Sequence, residues 1–165
     1  MKRSMKNLLK IRISLRMGNS TYIRNSTYIR LQWKHKGRQC VILWVGSHFC
    51  AYVETKLKHV SYSQEFGSYE TSPESNIEAH GGITFGGTLE SFGDTYFFGC
   101  DYAHAGDYIA DSIACEDGKK WTLGDVQKET IIMANSVIKY EKIHKKYKKT
   151  FDEFKKKLEK IKEGS

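Results

Sequence analysis

Alternating apolar and polar positions predict β-strands in the first two thirds of the chain. Residues 9–17 place an apolar side chain at every second position, as a strand with one wet, basic face does. Residues 39–45 form an apolar, β-branched run that stops at Gly46, and residues 48–54 resume the strand pattern, which predicts a hairpin. Glycine-containing turns bound two further predicted strands, at residues 83–85 and 95–98.

The last third of the chain has the periodicity of one long helix. Thr122 followed by Asp125 resembles a capping box, and no Gly or Pro interrupts the chain between Gly124 and Gly164. Such a helix of about 40 residues would be about 60 Å long. A heptad seam that includes His144 runs along it, and its other members are the predicted oligomerisation residues: Met133, Val137, Tyr140, Tyr147, Phe151, Phe154, Leu158 and Ile161.

These elements predict an α+β fold, in which a small, mostly antiparallel sheet packs on a long C-terminal α-helix that extends as a heptad-patterned tail. We divide the chain into a basic N-terminal extension (1–38), a core domain (39–140) and a Lys-rich helical extension (141–165). The second half of the helix lies beyond a small core, so self-association through the seam is expected. Folding back onto the N-terminal extension is the alternative.

Composition indicates a folded, intracellular protein. The 165 residues are 39% hydrophobic and 13% aromatic and contain one proline, which suits one globular domain. Because no 18 apolar residues run together and the N-terminus lacks a secretory signal, a cytoplasmic protein with no membrane partner is expected. The four cysteines include no CxxC pair, so reduced thiols are expected rather than a zinc site.

Charge is distributed in blocks. Residues 1–38 hold eleven Lys or Arg and no acid, whereas residues 39–118 hold twelve acids and two Lys. The basic extension therefore suits a polyanion, although a solvated surface is the alternative. The residues predicted to contact phosphates are Arg12, Arg16, Arg24, Arg30, Lys34 and Arg38. The aromatic residues predicted to stack on bases are Tyr22, Tyr28 and Trp33.

The densest chemistry lies between His80 and Asp107. Two glycines after His80 permit positive φ and close approach of the backbone to a ligand. The predicted ligand pocket comprises His48, His80, Gly81, Gly82, Thr84, Asp101, His104 and Asp107. The residues that could hold a divalent metal within it are His80, Asp101, His104 and Asp107. The same groups could instead form an acid–base pair, or merely cap turns.

Three ordered segments resemble a family of small uncharacterised proteins found in phages and bacterial genomes. They are residues 46–53, 80–85 and 98–107, and the family carries G-H-W-C-G-Y-V, H-G-G-[LI]-T-[FY] and G-F-D-C-A-H-x-G-D segments in this order. The chain departs by inserting Ser47 and by carrying Cys100 and Tyr102 where Phe and Cys are usual. The resemblance covers about residues 39–140 and implies a phage or mobile-element context and the host cytoplasm.

Three functions follow as hypotheses. The first is a small phage-type binding protein, an anti-CRISPR-like counter-defence inhibitor without enzyme activity or a required cofactor. Its partner would be a host defence protein, a nucleoprotein complex, a nucleic acid or a nucleotide signal. The second is a metal-dependent hydrolase of phosphodiesters or nucleotides that uses a divalent ion. The third is a helical adaptor that forms homo-oligomers through the C-terminal helix.

Overall fold

The computed structural model describes residues 15–17, 20–22, 27–57, 72–110 and 112–163. The β-strands in these ranges are β1 (Leu15–Met17), β2 (Ser20–Tyr22), β3 (Tyr28–His35), β4 (Arg38–Trp44), β5 (Phe49–Glu54), β6 (Phe85–Thr88) and β7 (Tyr96–Asp101). The α-helices are α1 (Pro73–Asn76) and α2 (Leu123–Glu163), and short 3₁₀ helices span Glu90–Phe92 and Ile113–Cys115.

Five strands form one antiparallel sheet in the order β3-β4-β5-β7-β6. Lys36 and Gly37 close the β3–β4 hairpin with φ angles of 47° and 76°, as a tight two-residue turn requires. The predicted hairpin formed by β4 and β5 is confirmed, with Trp44 opposite Phe49. Strands β1 and β2 pair separately as a two-stranded sheet.

Helix α2 packs on one face of the large sheet and completes the main core. Its N-terminus is capped as the sequence predicts, because the Thr122 hydroxyl accepts a hydrogen bond from the backbone N–H of Asp125 (3.2 Å) and donates one to its carboxylate (2.6 Å). Inward-facing side chains of the strands meet the helix in this core, among them Cys40, Ile42, Ala51, Val53, Phe98 and Cys100. The predicted α+β architecture is therefore confirmed.

The opposite face of the sheet carries a second apolar cluster. Alternate residues of β4 and β5 point to this side because successive side chains of a strand face opposite ways. The buried members are Val41, Leu43, Val45, Cys50, Tyr52, Phe85, Leu89 and Phe97. A sheet buried on both faces explains why β4 reads as a continuous apolar run rather than as an alternating one.

The structure divides the predicted heptad seam into two parts. Met133, Val137 and Tyr140 are at most 1% exposed in the protein's own core. These three residues are consequently unavailable to a partner, which corrects their assignment to oligomerisation. The large apolar side chains further along the helix are exposed: Tyr147, Phe151, Phe154, Leu158 and Ile161.

Several local predictions are refined. Of the strand expected over 9–17, the described part is Leu15–Met17, and residues 9–14 lie outside the described ranges. Strand β6 begins at Phe85, two residues later than predicted, since the chain turns at Gly81 and Gly82 before it joins the sheet. Helix α1 is a single turn that starts at Pro73, since proline is a favoured first residue of a helix.

All four cysteines lie within the described residues and form no disulfide bond with one another. Cys40, Cys50 and Cys100 are buried and Cys115 is partly exposed. Burial raises the pKa of Cys40 to about 11 and that of Cys100 to about 12, so both are protonated at neutral pH. Buried protonated thiols are poor nucleophiles, which argues against catalysis by either residue.

Within the described ranges, no helix combines the length and the apolarity that crossing a bilayer requires.

Candidate functional site

Asp107 is the hub at which the two predicted segments meet. Its side chain is buried, and Oδ2 accepts hydrogen bonds from Nε2 of His80 (2.7 Å) and from the backbone N–H of His104 (2.9 Å). Its other oxygen, Oδ1, accepts a hydrogen bond from the indole Nε1–H of Trp121 (2.7 Å). One carboxylate therefore joins residues that lie 27 positions apart in the chain.

These donors hold Asp107 in its ionised form. Burial by itself would raise the pKa of the carboxyl group, because desolvation disfavours a charge. The hydrogen bonds from Trp121, His80 and the backbone of His104, with the nearby charge of His80, outweigh that effect and lower the pKa of Asp107 below its usual range. The site thus contains a fixed negative charge beside the His80 imidazole, an arrangement that orients the ring.

A second carboxylate lies on the other side of His104. The Nδ1 atom of His104 is 3.7 Å from Oδ2 of Asp107 and 3.8 Å from Oδ1 of Asp101, beyond hydrogen-bonding distance of both. Within the described ranges this buried nitrogen has no hydrogen-bond partner. Asp101 is held at the end of β7 by the hydroxyl of Thr84, which donates to Oδ2 (2.9 Å).

The glycines of the site are required by its close packing. Gly81 has a φ of 63°, and a Cβ at this position would overlap the imidazole of His104. A Cβ at Gly118 would likewise overlap the backbone carbonyl group of Asp107. The sequence predicted that glycine next to His80 would allow close approach to a ligand, and the structure shows that Gly81 instead allows the close approach of His104.

Aromatic rings enclose the His80 imidazole. The ring of Tyr102 stacks on it with centroids 4.7 Å apart and an angle of 7° between the planes. Trp121 packs against it at 4.7 Å, and His104 meets it edge-on at 5.2 Å. Tyr102 is itself 1% exposed, and its burial raises the pKa of its phenol well above the usual range, so the ring acts as a neutral wall.

A cavity of about 150 Å³ opens beside this cluster. Tyr102 and Trp121, the rings that pack on His80, also line the cavity and so join it to the cluster. The remaining lining residues are Trp44, His48, Phe49, Tyr108 and Lys120. Five of the seven lining side chains are therefore aromatic, and the two others are a lysine and a histidine.

Two lysines provide positive charge near the cavity. The Nζ atom of Lys120 lies 4.8 Å from the ring centroid of Tyr108, and that of Lys119 lies 3.3 Å from the ring centroid of Trp121. Both residues are exposed, so their ammonium groups remain hydrated on one side while resting on an aromatic face. The cavity thus combines flat apolar walls with cations at its edge.

The structure brings most of the predicted pocket residues together. His80, His104 and Asp107 offer ligand atoms within 4.8 Å of one another, so these three could hold a metal ion. His48 lies in the neighbouring cavity instead, with its Nδ1 2.9 Å from the hydroxyl of Ser47. Thr84 and Gly81 support the site through Asp101 and His104 rather than by facing a ligand directly.

Arg38, one of the residues predicted to contact phosphates, is buried instead. It is 7% exposed and forms a bidentate ion pair with the buried Glu141, in which Nη2 and Nε each contact a carboxylate oxygen. The same carboxylate accepts the hydroxyl of Thr55 and the backbone N–H of Lys56. Arg38 therefore anchors β4 to helix α2, which corrects its assignment to nucleic-acid binding.

The other residues predicted to contact nucleic acid differ in their exposure. Arg30 and Lys34 are exposed on β3, while Trp33 is partly buried and packs against the main core. Tyr28 is partly exposed in the same strand. Arg12 and Arg24 lie outside the described residues, and Arg16 and Tyr22 are described by their backbone positions in β1 and β2 alone.

Sequence reasoning missed Trp121, Tyr102 and the cavity walls. Trp121 lies just before the helix cap, where the sequence gives no reason to expect more than an ordinary core residue. Its hydrogen bond to Asp107 depends on the β-bridge between Asp107 and Lys119, which the sequence does not reveal. Tyr102 could have been noticed because it lies between Asp101 and His104, but its stacking on His80 depends on tertiary structure.

Comparison of the chain with protein-family models, with curated proteins and with solved structures finds no match.

Proposed function

We propose that the protein binds a nucleotide, with the base inserted in the aromatic cavity and the phosphate at the lysines on its edge. The observation that carries the proposal is the composition of the cavity, which has five aromatic side chains and Lys120 among its seven lining residues. Aromatic faces bind bases of any sequence by stacking, and cations neutralise phosphates.

The size of the cavity supports a flat ring rather than a bulky ligand. Its volume of about 150 Å³ lies below the roughly 300 Å³ at which drug-sized pockets begin. A single base would occupy it, and the sugar and phosphate would remain near the surface. The exposed Lys119 and Lys120 are then close enough to meet the phosphate when they leave their aromatic faces.

The walls of this cavity are already packed against one another. The rings of Trp44 and Phe49 meet edge to face at 5.0 Å, and those of Tyr102 and Trp121 do so at 4.8 Å. Preformed walls reduce the ordering that binding requires, which favours affinity for a small ligand. Of the partner classes expected from the sequence, a nucleotide signal is therefore the one that the geometry supports best.

Fluorescence titration of the purified protein with a panel of ligands tests the proposal. The panel contains AMP, GMP, CMP and UMP, the matching nucleosides and inorganic phosphate. Nucleotides are expected to bind best, nucleosides more weakly and phosphate alone hardly at all, with affinity falling as salt rises. Equal binding of nucleosides and nucleotides would show that the lysines do not bind the phosphate, and no binding by either would refute the proposal.

Two variants locate the ligand. Tyr108→Ala removes one wall of the cavity and is expected to weaken nucleotide binding by about tenfold or more, the usual contribution of a base stacked on an aromatic ring. Lys120→Gln should weaken binding of nucleotides but not of nucleosides. Lys139→Gln, at an exposed position of helix α2, is the matched control and should leave both unchanged.

A metal-dependent hydrolase is a second candidate, favoured by the arrangement of His104. Its buried Nδ1 lies between two carboxylate oxygens, 3.7 and 3.8 Å away, as expected of ligands around a divalent ion before they close on it. Asp107 weighs against this candidate, because its oxygens already accept three hydrogen bonds. Calorimetric titration with Zn²⁺ and Mn²⁺ tests it: binding that His104→Ala abolishes supports the candidate, and no binding refutes it.

A further inference from the structure

The second half of helix α2 carries a stripe of exposed apolar side chains. We call Tyr147, Phe151, Phe154, Leu158 and Ile161 the exposed seam, since each is between 42% and 65% exposed. Their alternating spacing of four and three residues is that of the a and d positions of a coiled coil. Large apolar side chains repeated along one stripe of a helix indicate a surface for another helix.

The residues on either side of the exposed seam are almost all cationic. With Phe151 and Leu158 at a positions, the flanking e and g positions within the exposed half are Lys148, Thr150, Lys155, Lys157 and Lys162. The Nζ atom of Lys155 lies 4.8 Å from the ring centroid of Phe151, so at least one flanking lysine lies along the seam. Flanking charges decide which helices can pair.

The acids of this half lie away from the seam. Asp152, Glu153, Glu159 and Glu163 occupy outer positions of the heptad, and Glu153 pairs with Lys149 on that outer side at 4.0 Å. None of the e and g positions that flank the exposed seam carries an acid. A charge pattern sorted in this way favours a partner that brings the acids.

A second copy of the chain does not fit this pattern. In a parallel pair Lys157 would face Lys162 of the other copy, and in an antiparallel pair lysine would again face lysine, which is destabilising. The basic segment 1–38, which contains no acid, fits equally badly.

We propose that the exposed seam docks an amphipathic helix of another protein, with apolar residues at its a and d positions and Asp or Glu at its e and g positions. Apolar contact along the seam would supply affinity, and the lysines would select the acidic helix. This inference is independent of the nucleotide cavity, which lies at the other end of helix α2, near Trp121.

Two peptides of about three heptads test the proposal with the full chain. Both have Leu at a and d positions; one has Glu at all e and g positions and the other has Lys. Measured by fluorescence anisotropy, the Glu peptide is expected to bind at least about tenfold more tightly than the Lys peptide. Equal binding of the two, or no binding of the Glu peptide, would overturn the proposal.

Charge reversals place the contact on the helix. The triple variant K148E/K155E/K157E should reverse the preference, so that the Lys peptide binds more tightly. The control K145E/K146E/K156E makes the same change of charge at outer, exposed positions and should keep the preference for Glu. Far-UV circular dichroism confirms that both variants remain helical. The same loss of binding in both variants would count against a seam-specific site.

A parallel experiment with DNA tests whether these lysines bind nucleic acid instead of an acidic helix. A DNA duplex of about 20 base pairs replaces the peptide in the same assay. The proposal expects DNA to bind weakly and to lose affinity equally in both triple variants, as a non-specific polyanion would. Tight DNA binding that depends on the flanking lysines, together with no preference for the Glu peptide, would show that the helix binds nucleic acid instead.

Discussion

The indole Nε1–H of Trp121 donates a hydrogen bond to Oδ1 of Asp107, with 2.7 Å between the two atoms. Through this bond the cluster of His80 and His104 is tied to the start of helix α2, since Trp121 directly precedes the helix cap. Trp121 is also a wall of the aromatic cavity. We therefore expect a substitution or a ligand in the cavity to alter the environment of Asp107, and a substitution of Asp107 to alter the cavity.

The first prediction concerns the charge of Asp107. Asp107→Asn places an amide N–H₂ where three donors now meet a carboxylate, so at least one buried donor loses its acceptor. The expected loss in the free energy of unfolding is about 1–3 kcal/mol at pH 7, measured by urea denaturation. A variant as stable as the wild type would show that these hydrogen bonds contribute nothing to the fold.

The difference in stability between the wild type and Asp107→Asn is predicted to depend on pH. The pKa of Asp107 is lowered in the folded state, so its ionised form stabilises the fold above the unfolded-state pKa of about 3.9. That stabilisation is lost as the pH falls through the folded-state pKa. The difference in stability between wild type and Asp107→Asn should thus be largest near neutral pH and shrink below about pH 4. A constant difference across this range would contradict the assignment.

The second prediction separates backbone strain from crowding at the two glycines. Gly81 and Gly82 both have positive φ, 63° and 89°, so alanine is strained at either position. A Cβ would overlap the His104 ring at Gly81 and meet nothing within 4 Å at Gly82. Thermal denaturation should show Gly81→Ala to be the more destabilised variant, and NMR should show that only this one displaces His104. Equal effects would mean that crowding is unimportant.

The third prediction concerns the buried ion pair. Arg38→Met leaves Glu141 buried without its charged partner, which typically destabilises a protein by about 3–5 kcal/mol. Arg30→Ala removes an exposed arginine from β3 and should change stability by about 0.5 kcal/mol or less. Urea denaturation measures both. Comparable losses in the two variants would contradict the structural role given to Arg38.

The fourth prediction is a pattern of thiol reactivity. Cys40, Cys50 and Cys100 are buried, and the pKa values of Cys40 and Cys100 are raised to about 11 and about 12. At pH 8 the native protein should react rapidly with an aromatic disulfide reagent at Cys115 alone, and the other three thiols should react after denaturation. Cys115→Ser should abolish the rapid phase, and a fast phase that survives this substitution would show that a buried thiol is accessible.

The fold could be predicted because its elements have clear local patterns. The capping box at Thr122, the apolar run of β4 and the heptad spacing of helix α2 each determine a local structure with little help from the rest of the chain. Strand ends were less predictable, since the start of β6 depends on the register it adopts against Gly99 of β7.

The candidate site was predictable in part. His80, His104 and Asp107 could be identified because binding and catalytic side chains are often found on loops held by a rigid scaffold, and the structure brings their ligand atoms within 4.8 Å of one another. Trp121 and the cavity could not be found from spacing, because they depend on how the chain after Asp107 returns to it at Lys119. Arg38 was misassigned because charge along a sequence does not reveal which cations are buried.

The most direct test of the nucleotide cavity uses the indole N–H signals of the three tryptophans, assigned by single Trp→Phe variants. Trp44 and Trp121 line the cavity, while Trp33 packs against the main core and serves as an internal reference. On titration of the ¹⁵N-labelled protein with the tightest-binding nucleoside monophosphate, the signals of Trp44 and Trp121 should shift in a saturable manner while that of Trp33 stays in place. Stationary signals for Trp44 and Trp121 at saturating nucleotide would contradict the proposed site.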